Sequence, residues 1–347
     1  MNQIPTVPPA RGDRKLSNKD FLSETAPRWC PGCGSYVILS QLTKTFATLE
    51  IPHENYAVIS GIGCSSRFPY YTNTFGFHTI HGRAPTVAMG LKMARPELSV
   101  WIVTGDGDSL SIGGNHFMHM IRRNPDLKVI LFNNEIYGLT KGQASPTTHL
   151  GQTTKSTPFG TIDNPIKPLA LAIAAGATFA ARVTDGDLPL MAEVLQAAAK
   201  HKGIAFVEVL QNCVIFNDGI FDALTDKATR PQTTVRLKHG EPLVFGANRE
   251  FGIKAEGFKL VRCEANDPAV LRHDIAEPSS DLAYALSQLE GPAMPVPVGI
   301  FRQVERPTYD ERLAARRGGP GKFADVLRGG SAWKVNADGS ESRPGHA

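Results

Sequence analysis

Two cysteines stand at ligand spacing in Arg28-Trp29-Cys30-Pro31-Gly32-Cys33-Gly34, and further along come Thr104-Gly105-Asp106-Gly107-Asp108 and then Asn133-Asn134. Thiolates are soft donors for iron or zinc. Asp106 is a hard oxygen ligand suited to Mg²⁺, and the glycines beside it permit a sharp turn and let backbone N–H groups approach phosphate oxygens. Asn134 can offer a second oxygen and the Ile136 carbonyl a third. Two diphosphate oxygens and a water would complete an octahedron. A chain that owns both sets is expected to couple organic chemistry on a diphosphate cofactor to electron transfer through a metal cluster.

Each motif taken alone is open. Gly-Asp-Gly is a common β-turn sequence, and it gains meaning only because Asn133-Asn134 closes a neighbouring strand. Cys30-x-x-Cys33 alone fits zinc, a redox dithiol or nothing. A dithiol belongs on a thioredoxin-like unit, which the pattern lacks, and zinc usually brings a second close pair. One pair with two remote single cysteines, Cys64 and Cys213, suits a cubane 4Fe–4S cluster, with zinc as the remaining alternative. Those four sit beside Gly, Pro, Ser or Asn, whereas Cys263, in Leu260-Val261-Arg262-Cys263-Glu264, reads as a strand residue. Five cysteines, an odd number, without a secretory signal argue against a disulfide framework.

The elements that must position these residues alternate in the βαβ manner. Short apolar, β-branched runs predict buried strands at Tyr56–Ser60, Ser99–Thr104, Lys128–Asn133, Ala177–Arg182 and Ile204–Leu210. Between them, Tyr36–Leu49, Ala84–Ala94, Gly113–Arg123, Ile166–Ala175 and Leu188–Lys202 read as helices. This predicts an α/β fold with a doubly wound parallel sheet, whose ligands bind outside the carboxyl ends of the strands. Gly61-Ile62-Gly63-Cys64, Gly105-Asp106-Gly107 and Asn133-Asn134 all fall at such ends. Residues 1–25 read as an N-terminal arm, 26–220 as the cofactor domain and 221–305 as a C-terminal annex. In that annex, Lys238–Phe245, Phe258–Cys263 and Val296–Gln303 are strand candidates. The Arg/Gly/Ser/Pro-rich stretch 306–347 reads as a tail, extended or ordered by a partner.

Composition narrows the class. With 41% hydrophobic and 20% charged residues the 347-residue chain is globular rather than disordered. A net charge of +4 without a basic, aromatic-interleaved run speaks against nucleic acid. No run of about 18 uncharged apolar residues predicts a membrane span. The polar start, Met1 to Lys19, lacks the apolar core of a secretory signal, so a cytoplasmic location is expected.

The motif Gly105-Asp106-Gly107 followed by Asn133-Asn134 resembles the thiamine diphosphate motif. With Cys30-Pro31-Gly32-Cys33-Gly34 ahead of it, the chain from about residue 26 to 240 resembles the β subunit of 2-oxoacid:ferredoxin oxidoreductases. Ile59-Ser60-Gly61-Ile62-Gly63-Cys64-Ser65-Ser66-Arg67 and His81-Gly82-Arg83 belong to the match. Ile136-Tyr137-Gly138-Leu139-Thr140-Lys141-Gly142-Gln143 and Ser145-Pro146-Thr147 look most like the 2-oxoglutarate branch.

The resemblance implies that Cys30, Cys33, Cys64 and Cys213 hold a 4Fe–4S cluster and that Asp106, Asn134 and the Ile136 carbonyl hold Mg²⁺. It places Ile62, Gly63, Cys64, Ser65, His81, Gly105, Gly107, Asp108, Gly138 and Leu139 around thiamine diphosphate. The implied reaction is oxidative decarboxylation of 2-oxoglutarate with coenzyme A to succinyl-CoA, electrons passing to ferredoxin. A pyruvate or broad 2-oxoacid oxidoreductase is the nearest alternative, and a zinc-stabilised thiamine-binding subunit of a non-redox decarboxylase the next.

No second βαβ series follows the first, so a partner α subunit is expected to supply the glutamate that activates the cofactor. Arg67 is a candidate grip for a substrate carboxylate or a surface cation, and His81 a candidate donor to the cofactor or a developing alkoxide. Thr140 and Lys141 read as turn caps beside the diphosphate. Met118 and Met120 read as core, and His116 with His119 lack a further ligand nearby.

Overall fold

The computed structural model describes residues 15–316 and 334–342, and its compact units divide between Asp310 and Glu311. The strands are β1 (Tyr56–Ser60), β2 (Phe75–His78), β3 (Ser99–Gly105), β4 (Lys128–Asn133), β5 (Phe179–Thr184), β6 (Ala205–Leu210), β7 (Thr234–Leu237), β8 (Val244–Phe245), β9 (Phe251–Glu256), β10 (Lys259–Glu264) and β11 (Val296–Gln303). Eight of them form one sheet in the order β2-β1-β3-β4-β6-β5-β11-β7. Pairing is parallel throughout except between β5 and β11.

The interior strands are buried on both faces, which explains their continuous Val, Ile, Leu and Phe runs. On one face helices Ala84–Ala94, Gly114–Arg123 and Pro168–Ala174 cover a core that includes Ile102, Phe117, Ile121, Leu131 and Phe206. On the other, helices Ser35–Thr48 and Leu188–Lys200 pack on Val58, Trp101, Ile130 and Val207. The fold is the doubly wound α/β sheet that the sequence predicts. Because β1, β3, β4, β5 and β6 run the same way, the loops after Ser60, Gly105, Asn133, Thr184 and Leu210 emerge on one edge.

Several boundaries differ from the sequence reading. The arm expected over residues 1–25 is core at its end: Ser17 and Asp20 cap a turn over Asn18–Phe21, and Phe21 packs edge-on against Phe46 and Tyr56. Residues 1–14 lie outside the described residues. The annex expected over 221–305 is not separate, since β7 and β11 extend the main sheet and only β8, β9 and β10 form a small sheet of their own. The strand expected at Lys238–Phe245 is instead two, β7 ahead of it and the short β8 at its end. Within the stretch read as a tail, Tyr309–Arg316 is helical and Lys334–Val335 pairs with Glu341–Ser342. Residues 317–333 and 343–347 of that tail lie outside the described residues.

Strand β2 has no counterpart in the sequence reading. It is an exposed edge strand whose Phe75 and Phe77 face solvent, so it carries no continuous buried run to betray it. Among the described residues, no helix is long and apolar enough to cross a membrane.

Candidate active site

Gly105 ends β3, and Asp106 opens a short helix, Asp106–Leu110. The expected sharp turn is therefore a helix start, and neither Gly105 nor Gly107 takes a positive φ. Gly107 is needed for closeness instead. A Cβ there would overlap the Tyr137 ring, whose hydroxyl donates to the Gly107 carbonyl at 3.0 Å.

Asp106 is buried, and its Oδ2 accepts from Ser145 Oγ and Thr147 Oγ1, both at 2.6 Å. Burial pushes its carboxyl up to about 6, with the two hydroxyls opposing the shift. A carboxylate so desolvated gains most from a cation beside it. Ser145-Pro146-Thr147 is thus the support of Asp106, a role the sequence reading did not assign.

Asn134 stands just past β4, where its Oδ1 accepts the Ile136 N–H at 3.3 Å and its Nδ2 donates to Gln211 Oε1 at 3.3 Å. Asn133 serves the sheet: its Nδ2 donates to Glu208, which is ion-paired with Arg182 at 2.7 Å. Between Asn134 and Ile136, Glu135 adopts a left-handed φ of 56°.

Asp108 ties three loops together. Its Oδ1 accepts the N–H groups of Ile62, at 3.0 Å, and Gly82, at 2.8 Å, while Oδ2 accepts Thr104 Oγ1 at 2.7 Å. His81 Nδ1 lies 2.9 Å from the same Oδ1. Gly61 must be glycine because a Cβ would overlap the Asp108 carboxylate.

These residues line one cleft of about 100 Å³. Ile62, Gly63, Cys64, Ser65, His81, Gly105, Gly107, Asp108, Gly138 and Leu139 all border it, together with Asp106, Asn134 and Ile136. Every residue assigned from sequence to the cofactor or to Mg²⁺ is therefore on one wall or another of a single cleft. Ser65 Oγ, buried at its border, has no hydrogen-bond partner in the chain. An orphaned hydroxyl in a cleft with an unneutralised carboxylate fits a polar, metal-bound ligand.

A second cavity, of about 240 Å³, is lined by Cys30, Cys33, Cys64 and Cys213. The four come from the loops before helix Ser35–Thr48, after β1 and after β6. Trp29 Nε1 donates to the Cys64 carbonyl at 2.7 Å and locks two of those loops. Gly138 abuts the same cavity, where a Cβ would meet Cys213 Sγ at 3.5 Å and Cys64 Sγ at 3.9 Å, both ordinary van der Waals contacts.

Burial and the neighbouring thiols push Cys64 up to about 11, against the pull of Arg67, and burial raises Cys33 as well. Thiols gathered this way become thiolates only when a metal compensates them. Among the described residues, no group of three Cys, His, Asp or Glu side chains converges as for a single metal ion. Four cysteines around one cavity are a soft donor set of the kind that iron or zinc takes. Cys263 lies in β10, away from this cavity.

The two cavities share Cys64, Asn134, Gly138, Leu139 and Gln211. Arg67 borders the cysteine cavity and not the cleft, and its Nη1 donates to the Arg28 carbonyl at 2.6 Å. Lys141 also lines the cysteine cavity, whereas Thr140 lines the cleft. Gln211 was missed, although it stands two residues before Cys213 in the loop after β6.

A family described as "Thiamine pyrophosphate enzyme, C-terminal TPP binding domain" matches residues 61–209. The chain is 49% identical, over 93% of its length and 90% of the relative's, to the 2-oxoglutarate oxidoreductase subunit KorB of Mycobacterium tuberculosis. It is 40% identical to the β subunit of 2-oxoacid:ferredoxin oxidoreductase 1 of Aeropyrum pernix, over 85% of this chain and 84% of that one. A solved 2-oxoglutarate:ferredoxin oxidoreductase from Magnetococcus marinus, with 2-oxoglutarate, coenzyme A and succinyl-CoA bound, superposes with a TM-score of 0.74 at 33% identity. That match covers 90% of this chain and 95% of the other.

Proposed function

The chain belongs to the β subunits of the 2-oxoacid:ferredoxin oxidoreductases, and from that premise we propose that it serves 2-oxoglutarate, coenzyme A and a ferredoxin in concert with an α subunit. The reading assigns Mg²⁺ to Asp106, Asn134 and the Ile136 carbonyl, thiamine diphosphate to the cleft, and a 4Fe–4S cluster to Cys30, Cys33, Cys64 and Cys213. A cytoplasmic location goes with it. One observation carries the coupling: Cys64 borders both cavities, so the organic and the electron-transfer sites share a wall.

When bound, thiamine diphosphate supplies the nucleophile and electron sink for decarboxylating a 2-oxoacid, and the cluster supplies one-electron steps. The chain's own residues do the positioning. Ser145 and Thr147 orient Asp106 toward a cation, and Tyr137 packs against Gly107 so that the backbone holds a fixed floor. Asp108 fixes the loops carrying Ile62 and Gly82, beside the imidazole of His81. Arg67, beside the cysteines, offsets thiolate charge rather than gripping substrate.

The test is reconstitution. The complex purified with its α subunit should reduce a viologen dye with 2-oxoglutarate and coenzyme A, faster than with pyruvate. The single chain should be inactive, because the described sheet makes up one cofactor-binding half. Activity of the single chain alone, or preference for pyruvate, would refute the reading.

A further inference from the structure

Gln211 stands one residue beyond β6, buried, with its N–H on the Asn133 carbonyl at 2.9 Å, which extends the β4–β6 ladder by one bond. Its side-chain amide spans the wall between the two cavities. On one side Nε2 donates to Cys33 Sγ at 3.4 Å and to Ser35 Oγ at 2.8 Å. On the other, Oε1 accepts Asn134 Nδ2 at 3.3 Å. Both N–H donors and the carbonyl oxygen are thus engaged, which fixes the amide's orientation.

Gly34 makes the reach possible, since a Cβ there would sit 2.8 Å from Gln211 Cγ. Across the sheet edge, Asp185 Oδ2 accepts the Asn212 N–H at 2.9 Å and holds the same loop.

We propose that Gln211 is a positioning residue that joins the cluster to the metal site: it donates to a cluster thiolate and sets the rotamer of a Mg²⁺ ligand. The inference rests on the cofactor assignment above. At Asn134, an acceptor facing Nδ2 turns Nδ2 toward Gln211 and reserves Oδ1 for the opposite side, toward Ile136 and the cation. At Cys33, an N–H···S bond stabilises the more negative, reduced cluster and raises its potential. One amide therefore biases both sites, so occupancy of one is felt at the other.

Two substitutions separate the halves. Gln211→Leu removes both, and Gln211→Glu keeps an oxygen toward Asn134 while replacing the donor to Cys33 with a carboxyl. The α-subunit complex of each is titrated by EPR-monitored potentiometry and by calorimetry with Mg²⁺ and thiamine diphosphate. Gln211→Leu should lower the cluster's midpoint potential and weaken cofactor binding roughly five- to tenfold, the cost of one lost buried hydrogen bond. Gln211→Glu should lower the potential while binding stays within about twofold.

Neither readout follows from a simple loss of stability. Unchanged potential and unchanged affinity in both variants, with iron and cofactor present in the wild type, overturn the role of Gln211. A wild-type complex without iron overturns the cofactor reading itself and this inference with it.

Discussion

Asp108 Oδ1 lies 2.9 Å from His81 Nδ1 while accepting the backbone N–H groups of Ile62 and Gly82. One buried carboxylate therefore holds two loops that follow different strands, with an imidazole beside it. His81 itself is partly exposed at the cleft, so the pair divides labour: Asp108 holds the shape and His81 faces the ligand.

Asp108→Asn should separate these roles from those of His81. An amide nitrogen must then face at least one of the donors that Asp108 receives, at a cost of about 1–3 kcal/mol for each group left unpaired. Stability and cofactor affinity should fall together. His81→Ala should leave stability within about 0.5 kcal/mol, as for a partly exposed side chain, yet lower kcat by roughly a hundredfold or more. Chemical denaturation and steady-state kinetics on both variants decide it. Full activity in His81→Ala would leave the imidazole a spectator.

Asp106 governs the pH dependence of cofactor loading. Its carboxyl sits near 6, above the usual carboxylate range, because burial disfavours the charge. A raised carboxylate binds its proton more tightly in the folded chain. Its contribution to stability is thus full below the ordinary value and lost as pH rises through about 6. A cation needs the carboxylate, so Mg²⁺-dependent binding should weaken about tenfold per pH unit below 6. Thermal stabilisation by Mg²⁺ and thiamine diphosphate should accordingly be larger at pH 7 than at pH 5. Thr147→Val, which removes one of the two hydroxyls on Oδ2, should raise the carboxyl further and move that dependence to higher pH. Equal stabilisation at both pH values would place the cation elsewhere.

The cysteines divide four to one. Cys213→Ser should lose iron and the brown chromophore near 400 nm, since Cys213 lines the shared cavity. Cys263→Ser should keep both, because its side chain belongs to β10 in the small sheet. Iron analysis of anaerobically purified protein measures this, and iron lost from Cys263→Ser would sink the assignment. A zinc content near one per chain without iron would instead favour the non-redox alternative.

His201 makes the fold acid-sensitive away from the site. Burial, aided by the charge of Lys128, pushes its ring down to about 4, and its Nε2 lies 2.9 Å from Thr178 Oγ1. The unfolded chain takes up that proton near 6.5, so stability is full above that pH and lost as pH falls toward 4. The loss can reach roughly 3 kcal/mol. His201→Gln should flatten the stability profile between pH 6.5 and 4 when followed by denaturant titration. An unchanged slope would mean that other groups carry the acid response.

Much of this molecule was decided by local pattern. Strands β1, β3, β4 and β6 announce themselves as apolar runs because both faces are buried, and the motif residues follow directly because each ends such a strand. Four loop-borne cysteines against one in a strand also separate by their neighbours in sequence. What tertiary structure alone decided are relations between residues distant along the chain. Exposed β2 lacks a buried run, and β7 and β11 join the main sheet only through pairing with a partner far away. Arg67 follows the cofactor loop in sequence, but the chain turns after Cys64 and carries it to the cysteine side. Gln211 meets Cys33 and Asn134 across gaps of 178 and 77 residues. A glutamine's chemistry is set by what its amide faces, and only the folded sheet supplies that.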